Sequence, residues 1–322
     1  MLLTLEKLKA QLGGVQAKLN FDTVLPFVRV AERDFRRTVG PELYDYLAGL
    51  ESAEGDEAEL AELAHGCIAW AAYDMALPHL KQRVGDLGIT KVSPANTVAI
   101  TKWEYLDMRD SNMAMVDLCW ESFWQLLGEL DPEVWKSSPA RKRYNQYFIR
   151  TADELYRYIA LAGRNRRFFD TLTEYIRRAE QLYIEDVLTE TVFEDLKDKW
   201  QDPDANLTPL ETKLIEKIRH ALAPLAIYEA YPYLPIKVDE SGLREIRRKD
   251  GTQEEEIADK PYRQAQRRQL FQDGQLFLAK LRGFLDKNAT ETTFAGYYAL
   301  NLVADDYSED FEDFTNKAHI IL

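Results

Sequence analysis

An internal repeat constrains this chain more than any other feature of its sequence. The stretch from Phe21 to Glu32 returns 148 residues later as Phe169 to Glu180, and Val39 and Val187 extend the match. Two further blocks recur in the same order, 154 residues apart: Ala76, Pro78, Leu80, Val84 and Gly88 with Ala230, Pro232, Leu234, Val238 and Gly242, then Phe123 and Leu127 with Phe277 and Leu281. Repetition of one pattern in one order predicts two copies of a single domain.

Apolar residues at helical spacing fill most of each repeat. The pattern predicts the following helices: a short one after Thr4, then Phe21 to Thr38, Glu42 to Leu50, Glu59 to His79 and Met113 to Leu130 in the first copy, with the second copy starting at Thr151 and ending with Tyr262 to Leu285. Polar and apolar residues alternate around Gly85–Gly88 and Asp239–Gly242, which predicts a hairpin. The expected fold is mainly α, with two tandem copies of a small helical domain, each with a short β-hairpin or extended arm.

The repeat also predicts where the chain divides. We expect residues 1–130 to form the first copy, 131–150 a bridge, 151–285 the second copy and 286–322 an acidic-aromatic C-terminal tail without a counterpart. A solvated chain end is the simpler interpretation of this tail, and a peptide that docks on a neighbour is the alternative.

Composition limits the classes of function. A length of 322 residues with 46% hydrophobic residues allows two domains, and a net charge of -14 disfavours non-specific wrapping of nucleic acid. Cys67 and Cys119 are replaced by Ala221 and Asp273 in the second copy, so we expect small buried thiols in a reducing compartment. No apolar run reaches the length of a membrane helix and no signal peptide opens the chain, which predicts a cytoplasmic protein without a membrane partner.

The strongest candidate for chemistry is the pair Glu62 and His65, three residues apart as in di-iron bundles. The second copy has Glu216 and Arg219 at these positions, and arginine does not ligate metals. Phosphate-binding loops, nucleophile elbows and Cys-x-x-Cys pairs are missing from the sequence. We therefore expect no catalytic residue, no metal and no cofactor, and interpret Asp74 and Glu229 as helix-face charges that pair with Arg or Lys.

Aromatic and basic residues instead predict protein interfaces. The candidates comprise three groups: in the bridge, Trp135, Arg141, Lys142, Arg143, Tyr144 and Tyr147; in the arm region, Arg247, Arg248 and Lys249; and in the tail, Tyr307, Phe311 and Phe314. A plain solvated face is the alternative for the arm-region group.

The opening of the chain resembles a known family. Residues 4–12, a short helix with leucine and lysine, are followed by the apolar helix Phe21 to Phe35 with Ala31 and then by Gly40 and a further leucine-bearing helix. This order is similar to that of the helical head-tail connector proteins of tailed bacteriophages. The pattern Ala76-x-Pro78-x-Leu80 to Gly88 is similar to that of uncharacterised phage and prophage proteins from Bacteroidetes.

The resemblance implies a virion structural protein, not an enzyme, that assembles in the host cytoplasm. Its partners would be further copies of itself in a homo-oligomeric ring, portal and tail proteins at the two ends, and DNA that passes through without sequence-specific binding. Two other classes stay open: a cytoplasmic helical adaptor or scaffold that binds other proteins, and a helical enzyme that uses carboxylates with a divalent metal.

Overall fold

A computed structural model describes residues 1–13, 21–50, 54–80, 82–85, 88–91, 101–234, 236–239, 242–245, 248–249, 254–255 and 260–302. The first copy contains α1 (Leu5–Leu12), α2 (Phe21–Val39), α3 (Pro41–Gly49), α4 (Asp56–Leu80), β1 (Gln82–Gly85), β2 (Gly88–Lys91) and α5 (Lys102–Leu130). The bridge forms α6 (Glu133–Lys136) and α7 (Pro139–Tyr144). The second copy contains α8 (Ala152–Tyr158), α9 (Arg166–Ala179), α10 (Glu185–Leu188), α11 (Glu190–Gln201), α12 (Pro209–Ala230), β3 (Ile236–Asp239), β4 (Gly242–Glu245), β5 (Arg248–Lys249), β6 (Glu254–Glu255) and α13 (Lys260–Asn288), and α14 (Ala295–Asn301) follows.

The predicted fold class is confirmed: the chain is mainly α, with two tandem helical copies and a hairpin in each. β1 pairs with β2 in antiparallel register, closing with Gly85 opposite Gly88. β3 pairs with β4 in the same register, closing with Asp239 opposite Gly242. The hairpins follow equivalent long helices, α4 in the first copy and α12 in the second, so the repeat is preserved in strand pairing as well as in sequence.

The start of α5 differs from its prediction. The helix begins at Lys102, whereas the sequence predicts a start at Met113. A capping box fixes the earlier start, because the Thr101 side chain accepts from the backbone N–H of Glu104 while the Glu104 carboxylate accepts from the backbone N–H of Thr101. The first turns of α5 carry many charged residues and too few apolar ones to give a helical period.

Each copy has its own core, built from the same helices. In the first copy α4 packs against α2 and α5, and in the second α12 packs against α9 and α13. The bridge divides between the two cores, since Trp135 and Ala140 are buried in the first and Phe148 and Ile149 in the second. Cys67 and Cys119 are buried as predicted, and burial raises the pKa of Cys119 to about 11.

A buried glutamate explains one identity of the repeat. Glu32 accepts from the backbone N–H of Leu2 and from the hydroxyl of Tyr44. Glu180 occupies the equivalent place and accepts from the backbone N–H of Phe148 at 2.8 Å. In both copies the carboxylate therefore anchors the segment that enters the domain, whose backbone donor would otherwise be buried unpaired.

One residue is inserted in the second copy after this glutamate. α2 ends before Gly40, whose φ is 87°, whereas α10 ends before Thr189, whose φ is 74°. Gly40 follows Glu32 by eight residues and Thr189 follows Glu180 by nine. A π-helical turn at Glu180–Ile184 accommodates the extra residue.

Candidate functional site

The two copies pack together through α5 and the beginning of the second copy. The Asp117 carboxylate accepts from the backbone N–H of Arg166 at 3.1 Å, and the Glu121 carboxylate accepts from the backbone N–H of Asp153 at 3.2 Å. The Arg166 guanidinium lies 3.8 Å from the centroid of the Trp120 ring. Acidic groups of the first copy thus meet a cation and backbone donors of the second.

Burial shapes the electrostatics of this junction. Desolvation raises the pKa of Glu121, and hydrogen bonds from Asp153, Thr151 and Ala152 oppose the shift. Desolvation likewise raises the pKa of Asp117, opposed by the backbone N–H of Arg166 and by the charge of Arg167. The carboxylates are held in place by donors from the second copy, so the junction is polar and directional.

A cleft of about 900 Å³ opens beside the junction. It is lined by the outer face of α5, by the bridge and by the region around α8. Its charged lining residues are Asp117, Glu121, Asp131, Arg141, Arg150, Asp153, Glu154, Arg157 and Arg164. This volume and mixed charge make it the strongest candidate for a ligand site among the described residues.

The charges of the cleft mostly pair with one another. Arg150 lies 2.5 Å from Glu154, Arg164 lies 3.0 Å from Asp153, and Arg141 lies 3.5 Å from Asp131. Burial alone would raise the pKa of Glu154, but the guanidinium groups of Arg150 and Arg219 hold it below its usual value. The pair of Arg150 with Glu154 joins the bridge to α8, and the lowered pKa keeps Glu154 ionised at neutral pH.

Aromatic rings form the wall of the cleft nearest the first core. Trp124 stacks on Tyr144 with ring centroids 4.5 Å apart, and Trp135 lies 5.8 Å from Trp124. The Arg150 guanidinium lies 5.4 Å from the Tyr144 ring centroid and 4.8 Å from the Trp200 ring centroid, so it connects an aromatic residue of the bridge with one of the second copy.

The bridge candidates for an interface separate into buried and exposed residues. Trp135 is only 3% exposed, which makes its ring part of the first core, and Arg141 is largely buried. Tyr144 and Tyr147 are half-buried, and the backbone carbonyl of Tyr147 accepts from the indole N–H of Trp200 at 3.0 Å. Lys142 and Arg143 are exposed on α7 and are the bridge candidates that a partner can reach.

The remaining interface candidates lie in or beyond the arm of the second copy. Arg248 and Lys249 form β5, where Arg248 pairs with Glu255 and Lys249 with Glu254 in strand register. Arg247, Tyr307, Phe311 and Phe314 lie outside the described residues.

Glu62 and His65 do not form a metal site in the described structure. The Nε2 atom of His65 lies 3.2 Å from Lys7 Nζ, and burial together with that ammonium lowers the pKa of His65. Glu62 Oε1 lies 3.7 Å from the other ring nitrogen. Across the described part of the chain, no group of three or more His, Cys, Asp and Glu side chains is placed to hold a metal ion.

Asp74 and Glu229 pair with arginines, as the sequence predicts. Glu229 accepts from the Tyr183 hydroxyl at 2.6 Å and lies 2.9 Å from Arg178 Nε. Asp74 lies 4.0 Å from Arg109 Nε, and burial raises the pKa of Asp74. Both carboxylates therefore have nearby cations on neighbouring helices.

Sequence reasoning missed Asp117 and Glu121, the acidic residues of the junction. The signal was available, because these two acids lie one helical turn apart on α5 and are replaced by Phe271 and Gln275 in the second copy. A charge that only one copy carries is expected where the copies differ in their surroundings, as they must at a junction.

Comparison with protein families found one family model that matches both halves of the chain. The sequence matches the model of DUF6712, which is described as a family of unknown function. The match covers residues 35–145 and again residues 184–299, together more than half of the chain. The chain belongs to the DUF6712 family. The double match confirms the internal duplication. No curated protein and no solved structure matched in the other two comparisons.

The DUF6712 matches extend past the last long helix of each copy. The first reaches residue 145 and so includes α6 and α7, and the second reaches residue 299 and so includes most of α14. α14 packs against α11, with Tyr297 buried and its hydroxyl 2.6 Å from an oxygen of Asp286. Among the helices that the structure describes, none is long and apolar enough to cross a membrane.

Proposed function

We propose that this protein is a non-enzymatic virion structural protein, a head-tail connector that forms a ring between the portal and tail of a tailed phage or prophage. The duplicated hairpin carries the proposal. The strand register pairs two apolar residues in each copy, Val84 with Ile89 and Val238 with Leu243, next to a pair of polar residues. A two-stranded hairpin is marginally stable in water by itself, so a hairpin of this composition favours contact with a partner.

The cleft supports a structural role as well. Its carboxylates Asp131, Asp153 and Glu154 are engaged by arginines, and Glu121 accepts from the N-terminus of α8. Residues arranged to hold two copies in one orientation suit a building block of an assembly. A head-to-tail ring requires such a rigid unit, because small errors in angle prevent closure.

The test is the solution mass of the purified protein by light scattering over a concentration series, with negative-stain images. We expect closed rings, formed alone or on mixing with portal and tail proteins. The double substitution Val84→Ser with Ile89→Ser is expected to abolish assembly, because it removes the apolar pair. The control is Arg83→Ser with Thr90→Ser, which changes the neighbouring polar pair of the same hairpin and should leave assembly intact.

A chain that stays monomeric and binds neither portal nor tail proteins would overturn the connector proposal. Binding of non-virion proteins through the same arms would then favour a cytoplasmic adaptor. Stoichiometric divalent metal in the purified protein would instead favour the enzyme class.

A further inference from the structure

The equivalent long helices of the two copies carry opposite charge. α5 contains six acidic and two basic residues, whereas α13 contains seven basic and two acidic residues. At the junction, the acidic side of α5 is met by Arg166 and by the N-terminus of α8. The acidic helix α5 is thus packed against groups that complement its charge, and the basic helix α13 would be complementary to an acidic surface.

The outer face of α13 is exposed along most of its length. Tyr262 is 63% exposed and Leu276 is 54% exposed, and with Gln269 they follow a seven-residue spacing that places them along one line of the helix. Lys280, one turn after Leu276, and Lys287 extend this line, and Arg268 lies beside it. Arg268 and Lys287 form no ion pair with any residue in the described ranges. We refer to Arg268, Leu276, Lys280 and Lys287 as the α13 face.

The end of the chain has the complementary composition. Between Asp305 and Phe314 it carries six carboxylates and no basic residue, interspersed with Tyr307, Phe311 and Phe314. The rings follow one another by four and three residues, the spacing that would place them on one side of a helix. Apolar rings flanked by acids match an exposed leucine flanked by cations.

The α13 face is within reach of this segment. Tyr297 of α14 donates to Asp286, so α14 lies beside the C-terminal end of α13, and the chain leaves α14 at Asn301. From Asp286 back to Arg268 the helix extends about 27 Å. Residues 303–314 span up to about 40 Å when extended. The carboxylates can therefore meet Lys287, Lys280 and Arg268 without leaving their own chain.

We propose that residues 303–322 dock on the α13 face of the same chain, with aromatic rings against Leu276 and carboxylates against the surrounding cations. Single exposed ion pairs contribute little, so binding depends on the combination of several charges with apolar contact. Intramolecular attachment makes such a weak contact effective, because the segment is held near its site at high local concentration.

The test uses cysteine pairs in the full-length chain. Phe311→Cys is combined with Leu276→Cys on the α13 face, or with Leu161→Cys as the control. Leu161 is matched in exposure, 59% against 54%, but lies on the short turn after α8. Cys67 and Cys119 stay in place, because burial raises the pKa of both thiols and lowers their reactivity. Mild oxidation is followed by peptide mapping of the disulfides.

We expect at least a several-fold higher yield of the intrachain disulfide for Leu276→Cys than for Leu161→Cys. Replacement of the six carboxylates between Asp305 and Phe314 by amides should reduce that yield several-fold, as should high salt. Equal yields at the two positions, or disulfides that mainly join two chains, would overturn the proposal. The proposal would also be overturned by two results together: duplex DNA binds the α13 face of the wild type, and the amide variant gives an unchanged disulfide yield. None of these results depends on whether rings form, which light scattering measures separately.

Discussion

At the scale of single residues, buried charges are paired across long stretches of sequence. Glu180 is 3% exposed, lies 2.6 Å from Lys197 Nζ and accepts from the backbone N–H of Phe148. Lys197 also donates to the carbonyl of Gln146 at 2.7 Å. These contacts tie the end of the bridge to the second core.

Glu180→Ala should therefore destabilise the protein strongly. It leaves the Lys197 ammonium buried without its counter-ion, which costs about 3–5 kcal/mol. Urea denaturation measures the free energy of unfolding. The control is Glu174→Ala, which removes an exposed carboxylate that pairs with Arg177 on the same helix and should leave stability nearly unchanged. Equal losses for the two variants would contradict the assigned role.

Glu154 predicts a dependence on pH. Its pKa in the folded protein lies below the usual value of 4.5, so its contribution to stability is present above about pH 4.5 and is lost as the pH falls through the folded pKa. Glu154→Gln should cost about 2 kcal/mol at neutral pH, since a charged hydrogen bond to Arg150 is weakened. Denaturation at a series of pH values should show this difference shrinking in acid. A constant difference would contradict the prediction.

The sequence predicts such residues only in part. The repeat singled out Glu32 and Glu180 as identical, but not their partners, because the backbone N–H groups that they accept from lie 30 and 32 residues away along the chain. A local pattern carries no information about contacts at that separation. The burial of Cys67 and Cys119 was predicted because neither cysteine is kept in the second copy, which indicates packing and not chemistry.

At the scale of elements, close approach of α12 and α13 requires a glycine. A Cβ atom on Gly274 would come within 2.5 Å of a Leu225 methyl group, whereas a Cβ on Gly283 of the same helix would meet no atom within 4 Å. The packing of α13 on α12 therefore requires glycine at position 274 but not at position 283.

Gly274→Ala should destabilise the protein by about 1–3 kcal/mol, because the helices must separate or Leu225 must shift. Gly283→Ala should stabilise it by up to about 1 kcal/mol, because alanine favours the helix. Thermal unfolding of the two variants beside the wild type gives the comparison. The packing explanation would be refuted by two changes of the same sign and size.

Helices and hairpins were predictable from apolar period and turn residues, with α5 as the exception. Its first eleven residues depend on the capping box at Thr101 and on few apolar positions. The π-helical turn at Glu180–Ile184 was also not predicted, because a one-residue insertion within a helix leaves the pattern of apolar residues around it almost intact.

At the scale of the whole molecule, the junction fixes the orientation of the two copies. Arg166→Ala removes the stacking on Trp120 and should weaken the junction by about 2 kcal/mol. We expect urea unfolding of the Arg166→Ala variant to show two transitions, one for each copy, because each copy has its own core. Arg166→Lys should give an intermediate result, because it keeps the charge and loses the planar contact. An unchanged single transition would show that other contacts hold the copies together.

The orientation itself could not be read from the repeat, because identical positions describe what the copies share and the junction depends on where they differ. Asp117 and Glu121 have Phe271 and Gln275 as counterparts, and no residue of the repeat blocks marks them. Arg164 and Arg166 lie two residues apart in the sequence, and that spacing does not indicate which groups of the first copy they meet.

The opposite charges of α5 and α13 give the duplicated chain a polarity. Two identical halves would be interchangeable, and a neighbouring molecule would meet the same surface from either end. Here the last long helix of the first half is acidic and that of the second half is basic, so the two halves are chemically distinct. A partner that recognises charge can therefore distinguish the second half of the chain from the first.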